Sequence, residues 1–98
     1  MTHPFRRTSG VMVREIEGEV LVLDTEADKI HQLNITASYI WNRCDGSTPI
    51  NEIAEALAKD FDIGHDEATK DVIDTVAALK KQNLIVEPQE SPEHQVTT

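Results

Sequence analysis

Few side chains in this sequence could do chemistry, and their spacing argues against most of it. The four histidines, His3, His31, His65 and His94, never fall at an i, i+3 or i+4 spacing from one another or from Cys44, the spacing that would set two metal ligands on one helical face. No metal site is expected. Cys44 is the only cysteine, so an internal disulfide is excluded. A nucleophilic thiol needs a cationic or helix N-terminal setting that lowers its pKa. Cys44 instead follows Ala37, Ile40 and Trp41 at helical spacing, which puts it on an inward stripe where burial raises its pKa. Trp41 sits on that stripe and reads as core rather than as a platform for a ligand.

Carboxylates recur at helical spacing, Asp71 with Asp74 for example. Acid–base catalysis needs two of them in one cleft, in environments that push their pKa values apart, whereas these fall on outward faces. No glycine-rich phosphate loop, nucleophile elbow or triad spacing occurs. The residues therefore predict a protein that is not an enzyme and carries no cofactor.

The elements that carry these residues follow from periodicity. Val11 to Ile16 and Glu19 to Asp24 are β-branched, apolar runs separated by Glu17-Gly18, a connection suited to a tight hairpin. The second run is apolar on both faces, as a central strand would be. Lys29 to Leu33 reads as a third strand, of mixed polarity, at the edge of a simple meander. Asn34 is a good N-cap for a helix ended by Asp45-Gly46. Thr48 as cap and Pro49 at the first helical position open a second helix with Ile50, Ile53, Ala54, Leu57 and Phe61 on its apolar face. A third helix, about 66–83, has Val72, Val76 and Leu79 as its inner stripe. The order predicts an α+β fold, winged helix-turn-helix-like, with a three-stranded antiparallel sheet followed by a three-helix bundle.

Ninety-eight residues suit one domain. Residues 1–9 read as a flexible N-terminus, 10–86 as the domain and 87–98, "EPQESPEHQVTT", as a disordered acidic tail with one apolar residue. No apolar run approaches the roughly 18 residues that span a bilayer, and residues 1–10 lack a signal-peptide core. A cytoplasmic protein without a membrane partner is expected.

Two helices joined by Asp45-Gly46 could belong to a DNA-binding motif, which makes a winged-helix transcription regulator the alternative reading. Net charge is −9, unfavourable for a ligand bound largely by Lys and Arg. The third helix, in the recognition position, begins with Asp66, Glu67, Asp71 and Asp74 against Lys70 alone. No nucleic-acid partner is expected, and a protein or peptide partner is.

Three stretches together resemble one known family. "KIHQLNITASYIW", "RCDGSTPINEIAEAL" and "DVIDTVAALKKQNLI" are similar to the PqqD-like proteins, small peptide chaperones named for pyrroloquinoline quinone synthesis, whose fold is also called the RiPP recognition element. The resemblance covers about residues 10 to 86. It implies a noncatalytic module that binds the leader segment of a ribosomally synthesised precursor peptide and presents it to a modifying enzyme, often a radical SAM protein. The leader adds to the third strand in a groove shared with the third helix. Carried over, the peptide-binding residues are Lys29, Ile30, His31, Gln32 and Leu33 of the strand, with Lys70, Ile73, Asp74, Ala77 and Lys81 along one flank of the helix. The opposite flank, through Asp71 and Ala78, fits the sequence almost equally. The ending "KKQNLI" lacks the terminal aromatic of the family's namesake, which points to a relative serving another peptide-modifying system. The bland counterpart is a dimerising protein-interaction module whose edge strand is covered or self-paired, so monomer and homodimer both remain open.

Overall fold

The computed structural model of the chain describes residues 3–86. Among these residues five strands and three helices follow in the order β1 (Phe5–Arg6), β2 (Val11–Ile16), β3 (Glu19–Asp24), β4 (Lys29–Leu33), α1 (Ile35–Asn42), α2 (Ile50–Phe61), α3 (His65–Lys81) and β5 (Ile85–Val86). The three-stranded antiparallel sheet is ordered β2-β3-β4, so the strand that is apolar on both faces is the central one and β4 lies at an edge.

Glu17 and Gly18 both have positive φ, 53° and 85°, the backbone of a two-residue hairpin turn matched to the twist of its strands. The closing pair of such a turn, Ile16 opposite Glu19, is hydrogen-bonded, and bonded pairs then alternate along the ladder. At its far end Thr25 donates its N–H to the Gly10 carbonyl at 2.9 Å, which confirms that phase. Residues 19, 21 and 23 therefore bond toward β2, and residues 20, 22 and 24 toward β4. Their partners in β4 are Leu33, His31 and Lys29. Ile30 and Gln32 are left with backbone N–H and C=O directed away from the sheet.

The inner face of the sheet carries Val20, Val22 and Leu33 into a core shared with Ile40, Trp41, Cys44, Ile53, Leu57, Val72, Val76, Leu79, Leu84 and Ile85. Asn34 caps α1 as expected, accepting the Ala37 N–H at 2.8 Å. Thr48 does not cap α2. Its hydroxyl and N–H both turn back to the Asp45 carboxylate at 3.0 Å, because Asp45 forms a local turn that competes for them, and Pro49 takes the cap position.

Residues 3–9 do not form the flexible segment expected from the sequence. Pro4 is fully buried, β1 pairs antiparallel with β5, and the Arg7 guanidinium reaches Asp24 Oδ2 at 2.7 Å and Glu26 Oε1 at 2.9 Å. Arg6 lies over the Trp41 ring, 5.6 Å from its centroid. Phe5 thus pairs with Val86 and Arg6 with the buried Ile85, and a charge at Arg7 is held where it has two anionic partners. The acidic stretch 87–98 lies outside the described residues.

Candidate peptide-binding edge

The free side of β4 is a candidate site made chiefly of backbone. Two devices fix it in place. At its C-terminal end the Ser38 hydroxyl of α1 is inserted into the last rung of the ladder: Val20 donates its N–H to Ser38 Oγ at 2.8 Å, and that hydroxyl donates to the Leu33 carbonyl at 3.0 Å. Ser38 is only 1% exposed, so its hydroxyl has no water to compete for. At the N-terminal end Asp24 Oδ1 accepts the N–H groups of Glu26 and Ala27 at 3.1 and 3.0 Å, shaping the turn before Lys29. The Arg7 guanidinium, with those amides, holds the Asp24 carboxyl below the usual carboxylate range.

Side chains alternate along this edge. Lys29, His31 and Leu33 point to the inner face, on the side where α3 lies. Ile30 and Gln32 point to the outer face, and Ile30 is 70% exposed. Gln32 donates to Glu19 Oε1 at 2.9 Å and lines a depression of about 330 Å³ with Ile16, Glu19, Leu21 and Ile35. That volume admits a single side chain from an added strand. Met12 and Ile16 are also exposed on the outer face.

On α3 the expected flank, Lys70, Ile73, Asp74, Ala77 and Lys81, is exposed along its length. Ile73, 50% exposed, is the large apolar side chain there, and Lys70 pairs with Asp74 at 3.0 Å across one helical turn. On the opposite flank Asp71 is half-buried and Ala78 is exposed. Leu33 and the buried stripe of α3 join one core. Among the described residues no side-chain hydrogen bond or ion pair links Lys29, Ile30, His31, Gln32 or Leu33 to Lys70, Ile73, Asp74, Ala77 or Lys81, so the two sets of expected site residues are neighbours through the core rather than bonded to each other.

Reactive groups are absent from this edge. Cys44 donates its thiol to the Ile40 carbonyl at 3.1 Å, fully buried, and burial pushes its pKa to about 12. Tyr39, whose hydroxyl bonds to Asp60, is likewise pushed up to about 12, mainly by burial. Among the described residues no three His, Cys, Asp or Glu side chains come together to hold a metal ion, and no helix is long and apolar enough to cross a membrane.

Ser38, Asp24 and Arg7 are site-shaping residues that sequence reasoning missed. Asp24 ahead of the polar turn "TEADK" carried a turn signal; nothing in the sequence paired it with Arg7.

Comparison with known proteins bears on the whole domain. The sequence profile of the family described as coenzyme PQQ synthesis protein D (PqqD) matches residues 19–85, more than half of the chain. No curated protein sequence matches it. Among solved structures, TbiB1 in complex with the TbiA(beta) leader peptide is similar with a TM-score of 0.75 at 20% identity, covering 88% of this chain and 100% of that one. A lasso peptide synthetase B1 complexed with its leader peptide is similar with a TM-score of 0.75 at 21% identity, over 86% of this chain and 98% of that one. The PqqD truncation of Methylobacterium extorquens PqqCD, a stand-alone RiPP recognition element, has a TM-score of 0.67 at 22% identity, over 85% and 87% of the two chains. The winged α+β fold is common to all of them.

Proposed function

The chain belongs to the family of coenzyme PQQ synthesis protein D (PqqD), and from that premise we propose that it is a noncatalytic adaptor that binds the leader segment of a ribosomally synthesised precursor peptide. The leader adds as a strand to the free edge of β4, and the complex is presented to a peptide-modifying enzyme, a radical SAM protein in the form we favour, in the cytoplasm. The observation that carries this reading is the outward backbone of Ile30 and Gln32, an unpaired edge of the kind that takes up extended peptides. Two similar structures hold leader peptides, which supports a leader as the ligand.

The energetics are adequate. A micromolar complex needs about 8 kcal/mol net. Two rungs through Ile30 and Gln32 make up to four backbone hydrogen bonds at ~1 kcal/mol each. Two or three apolar anchors, each worth about 2–4 kcal/mol, supply the rest and offset the association cost. The exposed flank of α3 through Ile73 and Ala77, with Lys70, Asp74 and Lys81 at its rim, is the side we assign to those anchors. Ile73 favours it over the flank through Asp71 and Ala78.

The test is calorimetric titration of the protein with the leader segment of a precursor peptide encoded beside its gene. Micromolar binding to the native chain, lost or weakened more than about tenfold in Ile30→Pro, is the expected result. Equal binding by both would remove the strand-addition reading, and tight binding to duplex DNA at low salt would remove the adaptor reading altogether.

A further inference from the structure

Among the described residues, one polar atom on the inner face of the free edge has no partner. His31 Nε2 is shut off from solvent and none of those residues hydrogen-bonds to it, although a buried donor or acceptor left unpaired lowers stability. His31 lies opposite Val22, which is fully buried, so the ring sits on the side of the sheet that meets the helices.

Its place in the ladder gives this atom a use. An antiparallel strand bonded through Ile30 and Gln32 sets one of its residues directly across from His31, between the two bonded rungs. That is a non-hydrogen-bonded pair, with Cα atoms about 4.5 Å apart, where facing side chains come closest. Both side chains point to the inner face. Of all leader residues, this one has His31 as its nearest cross-strand neighbour.

We infer that His31, its ring turned toward the added strand on binding, selects the leader residue across from it, and that this residue carries a hydroxyl or carboxamide: Ser, Thr, Asn or Gln. Nε2 is a donor or an acceptor according to the tautomer of the ring, and these side chains can serve either. An aliphatic residue there leaves the nitrogen orphaned in the complex as well. A carboxylate brings a buried charge to a chain of net charge −9, with a desolvation cost that a single imidazole does not offset. The inference rests on the strand-addition reading and refines it at one position.

A display library of randomised 13-mer peptides, selected in parallel on the native chain and on His31→Leu, tests it. Selected peptides that slow amide exchange at Ile30 and Gln32 are expected to share Ser, Thr, Asn or Gln at one position. Replacing that residue by Val should weaken binding to the native chain about tenfold and binding to His31→Leu less than twofold, with the variant itself selecting aliphatic residues there. His31→Gln, which keeps a hydrogen-bonding group, should retain the native preference, and it carries the test if His31→Leu fails to fold by Trp41 fluorescence. Aliphatic residues at that position on the native chain, or an equal loss in both proteins, would overturn the inference while leaving strand addition intact. Peptides that bind without slowing Ile30 and Gln32 would overturn both.

Discussion

A proline placed at successive positions of β4 should have opposite consequences for the fold. Ile30 directs its N–H away from the sheet, so Ile30→Pro removes no native hydrogen bond, and an edge strand tolerates proline at such a position. The side chain is 70% exposed, so little burial is lost, and the preceding Lys29 already has the extended backbone that a following proline demands. The cost should stay below about 1 kcal/mol. His31 directs its N–H to β3, opposite Val22. His31→Pro breaks that rung and strands a carbonyl in a buried strand, which together cost about 3 kcal/mol. At roughly 4–8 °C per kcal/mol for a domain of this size, the melting temperature should fall by more than about 10 °C in His31→Pro and by only a few degrees in Ile30→Pro. His31→Ala separates the loss of the ring from the loss of the rung. Thermal denaturation followed by circular dichroism reads all three. If Ile30→Pro is as damaging as His31→Pro, the ladder has the opposite phase and the peptide-binding positions assigned here are wrong.

Three further outcomes follow from two groups that position the edge and one in the core. Ser38→Ala leaves the Val20 N–H and the Leu33 carbonyl without their bridge, and should cost about 1–3 kcal/mol in urea denaturation, whereas Ser38→Thr, if accommodated, should recover part of it. Asp24 ionises more readily in the folded chain than in the unfolded one, so its contribution is complete above the ordinary carboxylate pKa of about 3.9 and drains away as pH falls below it; Asp24→Asn should flatten the acid limb of the stability profile, and an unchanged limb would remove Arg7–Asp24 from the account. Cys44, with its pKa pushed up to about 12, should resist a thiol reagent at pH 8 and react only as the chain unfolds, and above about pH 9 the unfolded thiol ionises first and stability should decline; rapid labelling of the native protein would contradict its burial.

Strands and helices were legible because their patterns are strong and local. The doubly apolar β3 announced a central strand, and Glu17-Gly18 announced its hairpin. Asn34 marked the start of α1. The edge position of β4 followed from order alone. Sequence gave no access to interactions across the chain. Arg7 with Asp24 spans 17 residues and β1 with β5 some eighty, so a short polar N-terminus read as flexible when Pro4 is in fact buried and Arg7 is held by Asp24 and Glu26. Thr48 read as a cap because its type and place were right, yet Asp45 competed for it from three residues away. For the site, the strand could be named but not its phase. Which amides face outward depends on the closing pair of a hairpin in the neighbouring strands, and the partnerless state of His31 Nε2 depends on packing.

Residue-resolved amide exchange in the presence of a bound leader peptide tests the central claim most directly. Ile30 and Gln32 offer the unpaired N–H groups of β4, while Lys29, His31 and Leu33 already face β3. With a leader above its dissociation constant, exchange at Ile30 and Gln32 should slow by at least tenfold and exchange at the other three should change little, with a weaker response at Ile73 and Ala77. Uniform protection across all five residues, or protection confined to α3, would contradict strand addition at this edge even if the peptide binds.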